Sequence, residues 1–240
     1  MNVLITGMSS GIGLGLAKEH LRQGDEVFGL SRRPPTAELP IESWSYASID
    51  LSDFEAAAMG IRELLIDVDE IGMLWLNAGA LGQLKDMSAA SIAEMQTTFD
   101  VNVWANKVVL DTVFELDIKV DQVIAVSSGA AVNGNRGWNG YAISKAALNM
   151  LIQLYAAERP ETHFSALAPG LVDTAMQDYI CGLDADKKLS SIETLKAARG
   201  TANMPGPDEA AQHLVQSALK VRALPSGSFA DIRHLPESMQ

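Results

Sequence analysis

The feature that most limits how this chain can fold lies at its start. Val3-Leu4-Ile5 is an apolar run of strand length, and Thr6-Gly7-Met8-Ser9-Ser10-Gly11-Ile12-Gly13 follows it directly. Residues 11–23 then carry the pattern of a helix. A strand that passes through a glycine-rich turn into a helix leaves backbone N–H groups at the helix start open to a phosphate-bearing ligand. Gly7 and Gly11 remove the Cβ atoms that would block a pyrophosphate, and Gly13 lets the helix pack close to the sheet. The opening unit therefore predicts a βαβ-type fold built around an anion site.

The rest of the chain continues the alternation. Strands are expected at 27–30, 44–49, 73–76, 122–126 and 164–167, with helices at 53–66, 88–115 and 139–158, and a Pro-rich turn over 32–40. Near-continuous apolar runs such as Val-Ile-Ala-Val at 123–126 suit parallel strands buried on both faces. The expected class is a single α/β domain over 1–240, a doubly wound parallel sheet of about seven strands with helices on both faces. The least regular stretch, 177–207, is either a surface excursion or a lid over a pocket, since ligands of open α/β sheets bind beyond the carboxyl ends of the strands.

Composition narrows the partners. The net charge of −12 over 240 residues disfavours nucleic acid and anionic lipid as general partners. One cysteine, Cys181, excludes an internal disulfide and fits a reducing cytoplasm. The first strand begins so early that no signal peptide is expected, and no apolar run reaches the roughly 18 residues of a membrane span. His20, His163, His213 and His234 share no metal-ligand spacing with Cys181, so no metal site is expected and the histidines read as surface or loop residues.

Where an NAD site would place a carboxylate for the ribose 2′-hydroxyl, at the end of the second strand, this chain has Ser31 followed by Arg32 and Arg33. A carboxylate would repel a 2′-phosphate, whereas a guanidinium grips one. NADP(H) is the expected cofactor, with Arg32 first in line. The competing reading is a pair of solvated surface arginines.

Tyr141-Ala-Ile-Ser-Lys145 lies on the expected helix 139–158, and the i, i+4 spacing puts Tyr and Lys on one face. A phenol has an ordinary pKa near 10, so using it as a base near pH 7 would require about 4 kcal/mol, whereas it is already protonated as an acid. Ser128 stands just past the fifth strand, where its hydroxyl could hold a carbonyl oxygen.

With these residues the chain resembles the short-chain dehydrogenase/reductase superfamily, a Rossmann-fold group, over essentially its whole length. Thr6 to Gly13 matches the family's glycine motif. Asp50-Leu51 matches its adenine contact, Asn77-Ala78-Gly79 its Asn-Ala-Gly, and Asn102 in Asp-Val-Asn-Val its helix asparagine. Pro169-Gly170-Leu171-Val172-Asp173-Thr174 matches the segment beside the nicotinamide. The resemblance implies that Tyr141 protonates the developing alkoxide, Lys145 holds the ribose and lowers the tyrosine pKa, Ser128 bonds the carbonyl oxygen and Asn102 orders a relay water. It implies cofactor contacts from Ser9, Ser10, Ile12, Val172 and Thr174 as well.

Val-Ser-Ser-Gly-Ala-Ala at 126–131, Gly137-Trp138 and Ala-Pro-Gly-Leu-Val-Asp-Thr-Ala-Met-Gln at 168–177 are similar to sepiapterin reductases and the related bacterial benzil reductases. That similarity makes Asp231 either a substrate anchor or an ordinary strand-end aspartate. Trp138, Met176 and Tyr179 are expected pocket walls, suiting a bulky or flat carbonyl compound. Apolar residues around the 139–158 helix, with the family's habit of pairing it across subunits, imply a homodimer or homotetramer. The function expected is NADPH-dependent reduction of a ketone or dicarbonyl. The alternatives are a 3-oxoacyl thioester reductase or alcohol dehydrogenase of the same family, and, in another class, a non-catalytic dinucleotide sensor.

Overall fold

Strands whose successive residues are all apolar can feed both faces of a sheet, and the central strands of this protein do so. In the computed structural model, which describes residues 1–37, 39, 43–183 and 190–235, the strands are β1 (Asn2–Thr6), β2 (Glu26–Ser31), β3 (Trp44–Ser48), β4 (Glu70–Leu76), β5 (Lys119–Val126), β6 (His163–Ala168) and β7 (Ser228–Asp231). They form one seven-stranded sheet in the order β3-β2-β1-β4-β5-β6-β7, every neighbouring pair parallel. The order reverses between β1 and β4, and such a switch point opens a crevice at the carboxyl ends of the strands.

The helices are α1 (Gly11–Arg22), α2 (Phe54–Leu64), α3 (Ile92–Phe99), α4 (Ala105–Glu115), α5 (Asn139–Glu158), α6 (Ala175–Gly182), α7 (Ser190–Ala198) and α8 (Pro207–Val221). On one face Leu4, Leu74, Leu76, Val123 and Ala125 join Val109 of α4 and Ile152 of α5. On the other, Ile5, Trp75, Ile124 and Val126 join Leu16 of α1 and Leu214 of α8. The alternate residues of a single strand thus serve two cores. A third apolar cluster gathers Leu81, Tyr141, Ile180, Ile192, Leu195 and Met204.

Three expectations change. The helical stretch expected over 88–115 is two helices. Ser91 caps α3, accepting from the Glu94 N–H while Glu94 accepts from the Ser91 N–H, which sets the start at Ile92. A π-helical turn over Asp100–Trp104 then separates α3 from α4.

The irregular stretch 177–207 contains the rest of α6 and all of α7, apart from 184–189, which lie outside the described residues, as do 38 and 40–42 around the end of the expected Pro-rich turn. Both helices are short, eight and nine residues, too few for the spacing of Ile180, Ile192 and Leu195 to stand out as a helical period. Finally, His20 is not a surface residue. It is fully buried, its Nε2 accepting from the Trp75 indole N–H at 2.9 Å and its Nδ1 paired with Asp25 at 2.8 Å. Desolvation lowers its pKa, although Asp25 pulls the other way.

Candidate active site

The glycine-rich turn is held from β4. The Thr6 hydroxyl accepts from the backbone N–H groups of Asn77 and Ala78, each at 2.9 Å, and Asn77 Nδ2 donates to the Thr6 carbonyl at 2.9 Å. Gly7 and Gly11 have φ of +73° and +56°, a region that a side chain makes costly. At Gly13 a Cβ would lie 2.2 Å from the Gly7 carbonyl oxygen, just past β1, and 2.5 Å from Asn77 Nδ2, just past β4, so α1 approaches the strand ends closely there.

Helix α1 starts without a side-chain cap from Ser10 and without an acidic residue in its first turn. Its N-terminal N–H groups and the positive end of its dipole thus meet no capping side chain and no acidic residue of the helix's own first turn, which suits the donor set a pyrophosphate requires. Thr174, at the start of α6, faces this turn, its Cγ2 lying 3.5 Å from where a Gly11 Cβ would stand.

At the strand ends beyond α1, Ser31 donates to the Arg33 carbonyl at 2.7 Å and Ser48 to the Arg32 carbonyl at 3.1 Å. Both arginine side chains are exposed. Asp50 accepts from the Ser52 hydroxyl at 2.7 Å and its N–H at 3.0 Å, and these bonds, with a smaller contribution from Arg32, hold its carboxyl below the usual range. Leu51 is buried beside it.

The π-helical turn carries Asn102 into the interior, where it is wholly buried. Its Oδ1 accepts from the Ala80 N–H at 2.7 Å, and its Nδ2 donates to the Ala80 carbonyl and to Ser144 Oγ, each at 2.9 Å. Ser144 Oγ in turn donates to the Tyr141 carbonyl at 2.8 Å. Sequence reasoning missed Ser144, although it lies inside the Tyr-x-x-x-Lys segment. Gly79 stands between Asn102 and Lys145, since a Cβ there would lie 3.3 Å from Asn102 Oδ1 and 3.5 Å from Lys145 Nζ. Lys145 Nζ donates to the Val126 carbonyl at 2.8 Å, and burial lowers its pKa to about 8.

Tyr141 sits on the first turn of α5, with Lys145 Nζ 6.0 Å from its ring centre. Burial raises its pKa, and a hydrogen bond with Ser128 opposes part of that rise. Ser128 Oγ also accepts from the Ala130 N–H at 3.1 Å, which fixes the loop after β5. Asn102, Ser128, Tyr141 and Lys145 thus converge on the carboxyl end of the sheet.

Met176 and Tyr179 line a cavity of about 440 Å³ together with Leu81, Gly82, Gln83 and Ala175. Leu81 and Met176 pack in the same apolar cluster as Tyr141. Trp138 has another place. It packs on Tyr141 with ring centres 5.8 Å apart, and its indole N–H donates to Ser191 of α7 at 2.9 Å. Past β6, Pro169 leads into Gly170, at φ +71°, and Val172 is buried. The Asp173 N–H donates to the Pro205 carbonyl at 2.9 Å, tying this segment to the far end of the α6–α7 excursion.

Asp231 is paired rather than open. Arg233 reaches back with Nε at 2.9 Å and Nη2 at 2.6 Å, and donates its backbone N–H at 3.0 Å. Burial raises the Asp231 pKa, but these bonds outweigh it and leave the carboxyl below its usual value. Nothing in the sequence reading singled out Arg233, because the pairing depends on the turn over 232–234.

The chain matches known proteins along most of its length. The short chain dehydrogenase family model matches residues 1–181. A benzil reductase ((S)-benzoin forming) of Bacillus cereus is 29% identical over 246 residues, covering 96% of this chain and 98% of that protein. Its namesake from Bacillus subtilis (strain 168) is 30% identical over 242 residues, covering 96% and 97%. Among solved structures, the KRED1-Pglu enzyme superposes with a TM-score of 0.82 at 23% identity, covering 95% of this chain and 99% of that one.

Proposed function

Because the chain belongs to the short-chain dehydrogenase family, we propose that it is an NADPH-dependent reductase of ketones and dicarbonyls, with Tyr141 as proton donor. The observation that supports this best is the state of the phenol. It is buried beside an apolar cavity, hydrogen-bonded to Ser128, and its pKa is raised. A phenol in that state holds its proton at neutral pH and can give it to an alkoxide, which is the demand of reduction.

The residues have separate tasks in this reading. The Gly7–Gly13 turn, with Ser9, Ser10 and Ile12, and the start of α1 bind the pyrophosphate. Arg32, with Ser31 and Arg33 beside it, takes the 2′-phosphate, and Asp50-Leu51 border the adenine. Asn77, Ala78 and Gly79, with Pro169, Gly170, Val172 and Thr174, flank the nicotinamide half. The bound nicotinamide supplies the hydride. Ser128 and Tyr141 hold the carbonyl oxygen, Lys145 as an ammonium favours the phenolate left behind, and Asn102 fixes the loop and helix around that lysine. Met176 and Tyr179 form the apolar wall, and Trp138 braces Tyr141 and α7. The bacterial relatives are benzil reductases, which supports a flat, aromatic dicarbonyl as substrate.

We further propose a homo-oligomer of a reducing cytoplasm. Ile143, Met150 and Leu154 of α5 and Trp104 before α4 are all exposed apolar groups on the helices the family pairs. Among the described residues no helix is long and apolar enough to cross a membrane. The test is NADPH consumption by the purified protein with benzil, isatin, diacetyl and sepiapterin. Turnover of at least one, lost in Tyr141→Phe, is the expected result. Consumption with none of them would overturn the reading.

A further inference from the structure

A guanidinium stands beside the reacting centre without belonging to any motif. Arg233 follows β7, on a different element from the α6 wall. Its Cδ and Cγ lie 3.4 and 3.5 Å from where a Gly170 Cβ would stand, and its Nη2 lies 3.6 Å from where a Gly129 Cβ would stand. Gly129 adjoins Ser128, and Gly170 follows Pro169, so the side chain spans the two loops that flank the carbonyl position. Asp231 clamps it through Nε and one Nη2 hydrogen. The other guanidinium N–H groups have no partner among the described residues, and half of the side chain is exposed, 51% by area.

The clamp changes what this arginine can recognise. A free guanidinium prefers an anion, but here the Asp231 carboxylate already balances its charge. What remains is a rigid set of donors suited to a neutral acceptor oxygen. In a 1,2-dicarbonyl compound the second oxygen sits on the carbon next to the reacting one. In the reductase reading Ser128 holds the first oxygen, and the loop it belongs to is the one that Arg233 Nη2 approaches at Gly129.

We propose that Arg233, held by Asp231, is a specificity-determining residue that hydrogen-bonds the second carbonyl oxygen of a 1,2-dicarbonyl substrate. The inference rests on the reductase reading above and adds a residue to it. In a site otherwise lined by apolar groups, a substrate lacking that oxygen leaves the donors unpaired and is disfavoured.

The test uses two compounds that differ at this oxygen alone, benzil and deoxybenzoin. Intrinsic reactivity differs between them, but it cancels when the kcat/KM ratio is compared between wild type and variant. Arg233→Met keeps much of the aliphatic stem and removes the donors. The benzil-to-deoxybenzoin ratio is expected to fall about tenfold in it, a change of ~1.4 kcal/mol. Asp231→Asn, which loosens the clamp, should lower the ratio in the same direction by less. An unchanged ratio in Arg233→Met, or equal losses on both compounds, overturns the proposal. Should Arg233→Met not fold, an unchanged ratio in Asp231→Asn overturns it instead. A wild-type protein that reduces neither compound, nor any other carbonyl, strikes the reductase reading itself. Wild-type turnover with an unaltered ratio strikes Arg233 alone.

Discussion

The crevice has two walls of different construction. On the wall made by β1, β4 and α5, buried polar groups bond one another: Thr6 to Asn77 and Ala78, Asn102 to Ala80 and Ser144, Lys145 to Val126. Breaking any one of them leaves a buried group unsatisfied. On the α6–α7 wall, apolar side chains cover the phenol, and the polar ties lie nearer the surface, as in Arg199 with Asp173 at 2.9 Å and with Asp178. Exposed ion pairs of that kind contribute little. On this physical ground the first wall should accept few changes in residue type and the second more. That is the division expected of a site that keeps one cofactor and varies its substrate.

The widest separation between the walls should come from Tyr141→Phe. It is expected to lower kcat about 10³-fold while leaving NADPH affinity, by fluorescence titration, within about threefold. Residual turnover near wild type would remove the distinction between the phenol and its surroundings. Next is a matched pair of glycines. Gly13→Ala should cost about 3 kcal/mol in urea unfolding, because its Cβ meets the Gly7 carbonyl oxygen at 2.2 Å. Gly182→Ala on α6, where nothing among the described residues lies within 4 Å, should be neutral or stabilising. Equal costs at both sites would break the comparison.

Lys145 offers a pH test of the first wall. Its folded pKa, about 8, lies below the ordinary lysine value, so the ammonium is present below that pH and is lost as pH rises through it. If the ammonium holds the cofactor ribose, NADPH Kd should weaken about tenfold by pH 9, and Lys145→Met should flatten the profile. Arg32→Ala should reduce kcat/KM for NADPH about tenfold, ~1.4 kcal/mol, with NADH hardly affected. The smallest effect belongs to the second wall. Trp138→Phe removes the 2.9 Å bond to Ser191 and should raise substrate KM about threefold.

The same contrast explains what could be read without coordinates. Val123 to Val126 had to be a doubly buried strand, and Tyr141 and Lys145 had to share a helical face, because each follows from local spacing. The glycine turn was legible because steric exclusion admits few residue types. Ser144, Arg233 and the bracing role of Trp138 were not legible. Each depends on a partner far away in sequence or on a turn whose geometry no residue announces. The capping box at Ser91 and Glu94 was present in the sequence, and its neglect put the start of α3 too early. The burial of His20, on α1, needed Trp75, which lies far along the chain on β4.

The widened turn at Asp100–Trp104 has a consequence beyond placing Asn102. A π-turn contains one residue more than a regular helix would, and each residue advances a helix by about 100°. The insertion therefore acts as a phase shift. Helix α3 keeps the orientation that sets Met95 against Gly140 of α5, while α4 is rotated to bury Val109 and Val113 in the core. Deleting a single residue there would force one helix to face the wrong way. A relative shortened at that point could keep the asparagine in its sequence and still lose the contact with Ser144, so the length of this turn is as much a part of the motif as its residues.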